Sequence, residues 1–145
     1  MLEALLSDGD RRFREEVRAF VRDRVPEALR RRVANGDELS KQEYVGWQQA
    51  LSSRGWLTTT WPVAEGGTGW SPIRHYLFDE ELALADSPTV SLTLAVGPKL
   101  LGPILCEFGS AEQKARLLPP IRDWSPVAGL GGNFGADPKP AASSS

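Results

Sequence analysis

Trp61-Pro62-Val63-Ala64-Glu65-Gly66-Gly67-Thr68-Gly69-Trp70-Ser71-Pro72 decides how this chain is read, because its three glycines and two prolines separate two helix-forming segments. The stretch cannot itself be helix. Pro62 fixes its own φ and pushes Trp61 toward an extended backbone, while Gly66, Gly67 and Gly69 suit tight turns and close backbone approach. Trp61 and Trp70 flank the turn, and each indole can bury a large apolar area by folding back onto a core. The residues therefore read as a structural clamp. A phosphate-cradling loop needs G-x-G-x-x-G between a strand and a helix, or a Gly-Lys-Ser/Thr ending, and neither is present here.

Upstream of the clamp, Phe13, Val17, Phe20 and Val21 recur at helical spacing, with Ser7 or Asp8 as a cap, and predict a helix from about Gly9 to Arg24. Pro26 interrupts it, and a short offset helix is expected from Pro26 to Val33 before Asn35-Gly36. Ser40-Lys41-Gln42-Glu43 has the Ser-x-x-Glu form of a capping box, and Tyr44, Trp47 and Leu51 mark one apolar face running up to Gly55.

Downstream, Ser71-Pro72 supplies a cap and a first-turn proline. Ile73, Tyr76, Leu77, Phe78, Leu82, Leu84 and Ala85 make the next helix apolar nearly all round, which predicts burial between other helices. Thr89 to Leu101 is a long apolar segment, punctuated by Gly97-Pro98 and Gly102-Pro103 and expected to be a helix broken or kinked at one or both places. Its β-branched residues would also suit a strand, but no other segment offers a partner strand. Gly109 ends a turn, and Ser110-Ala111-Glu112-Gln113 is a second capping box for a helix through about Leu118, where Pro119-Pro120 intervene. The expected fold is all-α, about six helices in an orthogonal or up-down bundle spanning 1–124. A Gly/Pro/Ala/Ser tail, 125–145, reads as disordered.

The chain has 145 residues, enough for one domain with a real core. Lys plus Arg number 17 and Asp plus Glu 19, a net charge of -2. With no basic excess to hold a polyanion, nucleic acid is not an expected partner. The arginines between Arg11 and Arg32 alternate with acids, for instance Glu16 with Arg12 and Glu27 with Arg31 or Arg24, and read as a solvated, ion-paired face. Cys106 is the single cysteine. With His75 it forms the only soft-ligand pair, which argues for a reducing compartment and against a zinc site. No basic leader or membrane-length apolar run is present, so a soluble, cytoplasmic protein with no membrane partner is expected.

Acid and base residues do not converge. Glu80 and Glu81 are adjacent on a helix, so their side chains diverge by about 100° and cannot flank one substrate atom. A buried member of this pair would need a hydrogen-bond partner, for which the Gly66–Gly69 backbone is a candidate. His75 and Asp79 form an i, i+4 pair that reads as a surface contact. Gly129-Leu130-Gly131-Gly132-Asn133-Phe134-Gly135 superficially follows a nucleotide loop, but Phe134 stands where the third glycine belongs. No catalytic, cofactor-binding or metal-ligating residue is assigned.

Taken in order, Trp61-Pro62 with Gly66, Gly67 and Gly69, the helix with Glu80-Glu81-Leu82-Ala83, the Gly109-Ser110-Ala111-Glu112-Gln113-Lys114 turn and Leu118-Pro119-Pro120 resemble the N-terminal helical domain of the acyl-CoA dehydrogenase family. The resemblance covers roughly Arg11 to Asp123. It implies a flavoenzyme lineage in which FAD takes a hydride during α,β-dehydrogenation of acyl-CoA thioesters and passes electrons to a flavoprotein acceptor. It also implies a middle β-barrel and a C-terminal helical domain that carry most flavin contacts and the proton-abstracting glutamate. After Trp124 this sequence runs into Ser125-Pro126-Val127 and the low-complexity tail, so no residue occupies those positions.

The expectation is a helical domain inactive on its own, with FAD not bound by this chain alone, its abrupt end explained by frameshift or gene fragmentation. The alternative is an interaction module docking on a partner chain that supplies the flavin and catalytic domains, within a homo- or hetero-oligomer of acyl-CoA dehydrogenase-type chains. By the same resemblance acyl-CoA is the ligand. Leu92, Leu94, Val96, Leu100 and Leu101 are the candidates for acyl-cavity lining, with core packing an equal reading for each.

Overall fold

The computed structural model describes residues 2–88 and 96–124. The tail, the 129–135 loop and two of the cavity candidates, Leu92 and Leu94, lie outside the described residues. The elements are α1 (Leu2–Leu5), α2 (Asp8–Arg24), α3 (Glu27–Ala34), α4 (Lys41–Ser53), a 3₁₀ turn at Val63–Glu65, α5 (Pro72–Leu84), a π-helical turn at Val96–Leu101, α6 (Gly102–Phe108) and α7 (Ala111–Arg122). Among the described residues there is no strand, and the all-α expectation holds.

The caps form as their sequences predict. Ser7, Ser40 and Ser110 each accept from the third helical amide, and Asp10, Glu43 and Gln113 reach back to the cap amides. Ser71 Oγ accepts from the Arg74 amide at 3.3 Å, with Pro72 opening α5. Each device satisfies amides that a helix start leaves without partners.

Two apolar clusters result. The larger joins Phe13, Val17 and Val21 of α2 to Trp47 and Leu51 of α4, Trp56 and Leu57 of the following turn, and Leu77 and Phe78 of α5. Trp70 packs here, with its ring 4.8 Å from Phe13 and 5.2 Å from Phe78. The smaller cluster holds Trp61, Leu105, Leu118 and Ile121. So the two indoles of the clamp enter different clusters, and the loop between them ties the clusters together. Its turn depends on glycine. Gly66 and Gly69 have φ of 108° and 65°, and a Cβ on Gly67 would collide with the Trp61 carbonyl.

Three expectations are corrected. The α5 helix is not buried all round. Leu77, Phe78 and Glu81 face inward, while Ile73 and Tyr76 are exposed and Leu84 is 69% exposed. Nor does α7 stop at Leu118: it runs through Pro119 and Pro120 to Arg122. An interior proline costs about 3 kcal/mol, and burial of Leu118 and Ile121 in the smaller cluster offsets it. Lastly, the arginine face of α2 is ion-paired across elements as well as along the helix. Glu16 is held by Arg54 beyond α4 instead of Arg12, and Glu27 pairs with Arg31 at 3.0 Å.

The C-terminal end returns to the main core. Trp124 lies buried in the larger cluster at a φ of 53°, and Ser52 Oγ donates to the Arg122 carbonyl at 2.8 Å.

Candidate functional site

The two glutamates of α5 are committed to different partners. Glu81, with a nearly buried side chain, accepts a two-pronged contact from Arg18 of α2, Nε at 2.7 Å and Nη2 at 3.0 Å. The donor is thus a guanidinium 63 positions upstream and not the glycine loop. Only packing of α2 along α5 brings the two together. The Glu81 hydrogen bond raises the pKa of Arg18, and Glu15 at 2.7 Å shares the same guanidinium. Glu80 points away and accepts from Tyr76 Oη at 3.2 Å, a bond that raises the pKa of the phenol. No substrate atom can lie between these carboxylates, in keeping with their adjacency on one helix.

His75 and Asp79 line a cavity of about 330 Å³ together with Trp56, Thr60, Phe78 and Lys99. The half-buried imidazole stands edge-on to the Trp70 ring at 5.5 Å, and Asp79 one turn further on is exposed. Burial raises the pKa of the Cys106 thiol, with Glu65 adding to the rise and Lys114 opposing it. A thiol so placed is a poor nucleophile at neutral pH. Among the described residues no group of three or more His, Cys, Asp or Glu is placed to hold a metal ion.

The clamp is not a phosphate cradle. The amides of Gly66, Gly67 and Thr68 donate to Val63, Pro62 and Thr59 carbonyls at 3.2, 3.0 and 3.3 Å. With those donors consumed, the loop does not fit a flavin pyrophosphate. Lys114 lies 3.7 Å from Glu65, and the Arg122 side chain covers Gly66. The Gly109–Lys114 motif therefore braces the clamp.

The remaining cavity candidates diverge. Leu101 packs on the smaller cluster, Val96 is half-buried, and Leu100 is 57% exposed. Ile104 and Phe108, the latter 79% exposed, follow Leu100 at intervals of four and extend an open apolar ridge. Sequence reasoning missed this ridge and the buried Gln48 of α4. The i, i+4, i+8 spacing of Leu100, Ile104 and Phe108 was the available signal for the first; nothing local signals the second.

This all-α fold, with its clamp, its Glu-Glu helix and its capped C-terminal helix, is that of an acyl-CoA dehydrogenase N-terminal domain. Residues 7–123 match the family described as acyl-CoA dehydrogenase, N-terminal domain, and the chain belongs to it. It is 36% identical over 115 residues to acyl-CoA dehydrogenase IpdE1 of Mycobacterium tuberculosis (strain ATCC 25618 / H37Rv), an alignment covering 77% of this chain and 29% of that protein. It is 32% identical over 119 residues to FadE12 of the same strain, covering 74% and 30%.

Among solved structures, the Tcur3481-Tcur3483 steroid ACAD G363A variant matches with a TM-score of 0.64 at 31% identity, covering 79% of this chain and 29% of that one. The ChsE4-ChsE5 complex from Mycobacterium tuberculosis matches in fold, with a TM-score of 0.63 at 24% identity, covering 81% and 28%. The chain thus spans less than a third of the length of these relatives. No helix among the described residues is long and apolar enough to cross a membrane.

Proposed function

We propose that this chain is the helical wall of an acyl-CoA dehydrogenase, inactive alone, and that the flavin and the proton-abstracting carboxylate come from other segments or a partner chain of the same kind. One observation carries this reading: Ile73, Tyr76 and Leu84 on α5, with Leu100, Ile104 and Phe108 beyond it, leave apolar faces open to solvent. Apolar residues left open along one helix face suit the docking of another segment or chain. In the assembled enzyme Leu92, Leu94, Val96 and Leu100 would line the acyl cavity, while Leu101 backs them from the smaller cluster. FAD, where bound, supplies hydride acceptance; this chain's part is to exclude water and to hold the acyl chain by apolar contact.

One of the similar solved structures is titled a steroid ACAD, so bulky polycyclic acyl-CoA thioesters belong among the substrates to try beside straight-chain ones. The test mixes purified chain with FAD and this substrate panel, with and without a candidate partner chain. The expected result is no retained flavin for the chain alone, and flavin retention with substrate bleaching only in the mixture. Tight flavin binding and bleaching by the isolated chain would overturn the proposal.

A further inference from the structure

The Val96–Leu101 turn raises a question of hydrogen bonding that its own sequence cannot answer. In a π register the carbonyl of residue i accepts from the amide of i+5. For Pro98 that residue is Pro103, which has no N–H. Pro98 is buried, and a buried carbonyl without a donor is costly. The structure fills the gap from elsewhere: the Trp61 indole Nε1–H donates to the Pro98 carbonyl at 2.7 Å, and both groups are buried. Trp61, which delivers this donor, is 3% exposed, and its ring packs so closely on Gly102 that a Cβ there would overlap it. Gly102 and Pro103 thus form a matched pair, one making room for the indole and the other leaving it an acceptor.

We infer that Trp61 is a register pin, a positioning residue that holds 96–101 in the π register and so decides which leucine faces outward. A shift of one residue rotates side chains by about 100°. Such a shift would carry Leu101 out of the cluster with Trp61 and Leu105 and move Leu100 off the open ridge. The clamp in the sequence would then be a specificity element at a distance, shaping the wall without touching a ligand. That the pinned residues wall an acyl cavity rests on the reading proposed above. The pin itself does not, and the experiment addresses the pin alone.

The test is amide hydrogen exchange on the whole chain, residue by residue at 99–102, 104 and 105. Trp61→Phe keeps an aromatic ring but removes the Nε1–H donor together with part of the buried indole's volume. It is expected to accelerate exchange there by tenfold or more, well beyond the rise in Leu118→Ala, a variant that opens a void in the same smaller cluster and leaves the donor in place. Gly102→Ala, which crowds the indole, should reproduce the effect.

The decisive arm is Trp61→Phe with Pro103→Ala. The new amide at 103 offers Pro98 a donor in the π register, so protection should return to within about threefold of the parent, whereas Pro103→Ala alone should change little. The inference is overturned by unchanged exchange in Trp61→Phe. A rise matched by Leu118→Ala, or failure of the double variant to recover, would equally sink it.

Discussion

The main cluster around α2, α4 and α5 and the smaller cluster around Trp61 and α7 are built by different means. In the first, each helix carries its own instructions: a serine cap, an acid or proline in the first turn, and apolar residues at helical spacing. Local preference and burial agree there. In the second, local preference opposes the outcome, since α7 contains Pro119 and Pro120, the turn before α6 holds Gly97 and Pro98, and α6 itself opens on Gly102-Pro103. Long-range partners override it: the Trp61 indole on the Pro98 carbonyl, the Arg122 side chain over Gly66, and Trp124 anchored in the main core. The lesson is that the smaller cluster depends on the larger one, and the dependence should run one way.

The largest effects test that asymmetry directly. Leu77 and Leu118 are both fully or nearly fully buried, one in each cluster. Leu77→Ala should cost about 2–5 kcal/mol and lower the urea midpoint of the whole molecule as a single transition. Leu118→Ala should cost toward the lower end of that range and, in hydrogen exchange, loosen α6 and α7 while leaving α2 protected. Equal loosening of α2 in Leu118→Ala would show the two clusters to be one cooperative unit.

Next comes the cross-element pair. Arg18→Met strands the Glu81 carboxylate, and because Arg18 is about two-fifths exposed the loss should be about 1–3 kcal/mol. Adding Glu81→Leu should recover part of it, since a buried charge without its partner is the main penalty. A double variant as unstable as Arg18→Met would show that Glu81 makes contacts beyond this pair.

Capping separates the clusters more finely. Ser40→Ala and Ser110→Ala should each cost about 1 kcal/mol in chemical denaturation. A much larger loss at Ser110 would mean that α7 leans on its cap more than on burial.

The smallest effect is with pH. The Ser40 backbone amide holds the Glu43 carboxyl below its ordinary value of 4.5, with the Ser40 hydroxyl and Arg32 adding to the shift. A carboxylate whose pKa is depressed in the folded state contributes stability that is present above 4.5 and is lost as pH falls through and below that value. Glu43→Gln should therefore show a shallower loss of thermal stability on acidification than the parent. A steeper one would reverse the sign of the argument.

Much of the bundle was legible residue by residue. Ser7, Ser40, Ser71 and Ser110 mark helix starts because a short hydroxyl side chain can satisfy only nearby amides, and that geometry is local. Gly66, Gly67 and Gly69 mark the clamp for the same reason. At the α5 glutamates the divergence was legible: Glu80 and Glu81 are adjacent on one helix, and the structure gives each its own partner. The identity of Glu81's partner was hidden, because any of several upstream arginines could have met it until α2 settled against α5. The open face of α5 was hidden too. An all-round apolar helix announces that it wants two neighbours but not which face each will cover.

What the amino-acid sequence determines by itself, then, is the run of helices, their caps, and the clamp that parts them, since these depend on torsional preference and hydrogen bonds spanning three or four residues. Only the tertiary structure decides that α7 continues through two prolines, that Arg18 rather than the glycine loop satisfies Glu81, and that Trp61 completes Pro98. In each case the deciding group lies more than thirty positions away or the deciding energy is burial in a shared cluster, and neither is a property of the segment it acts on.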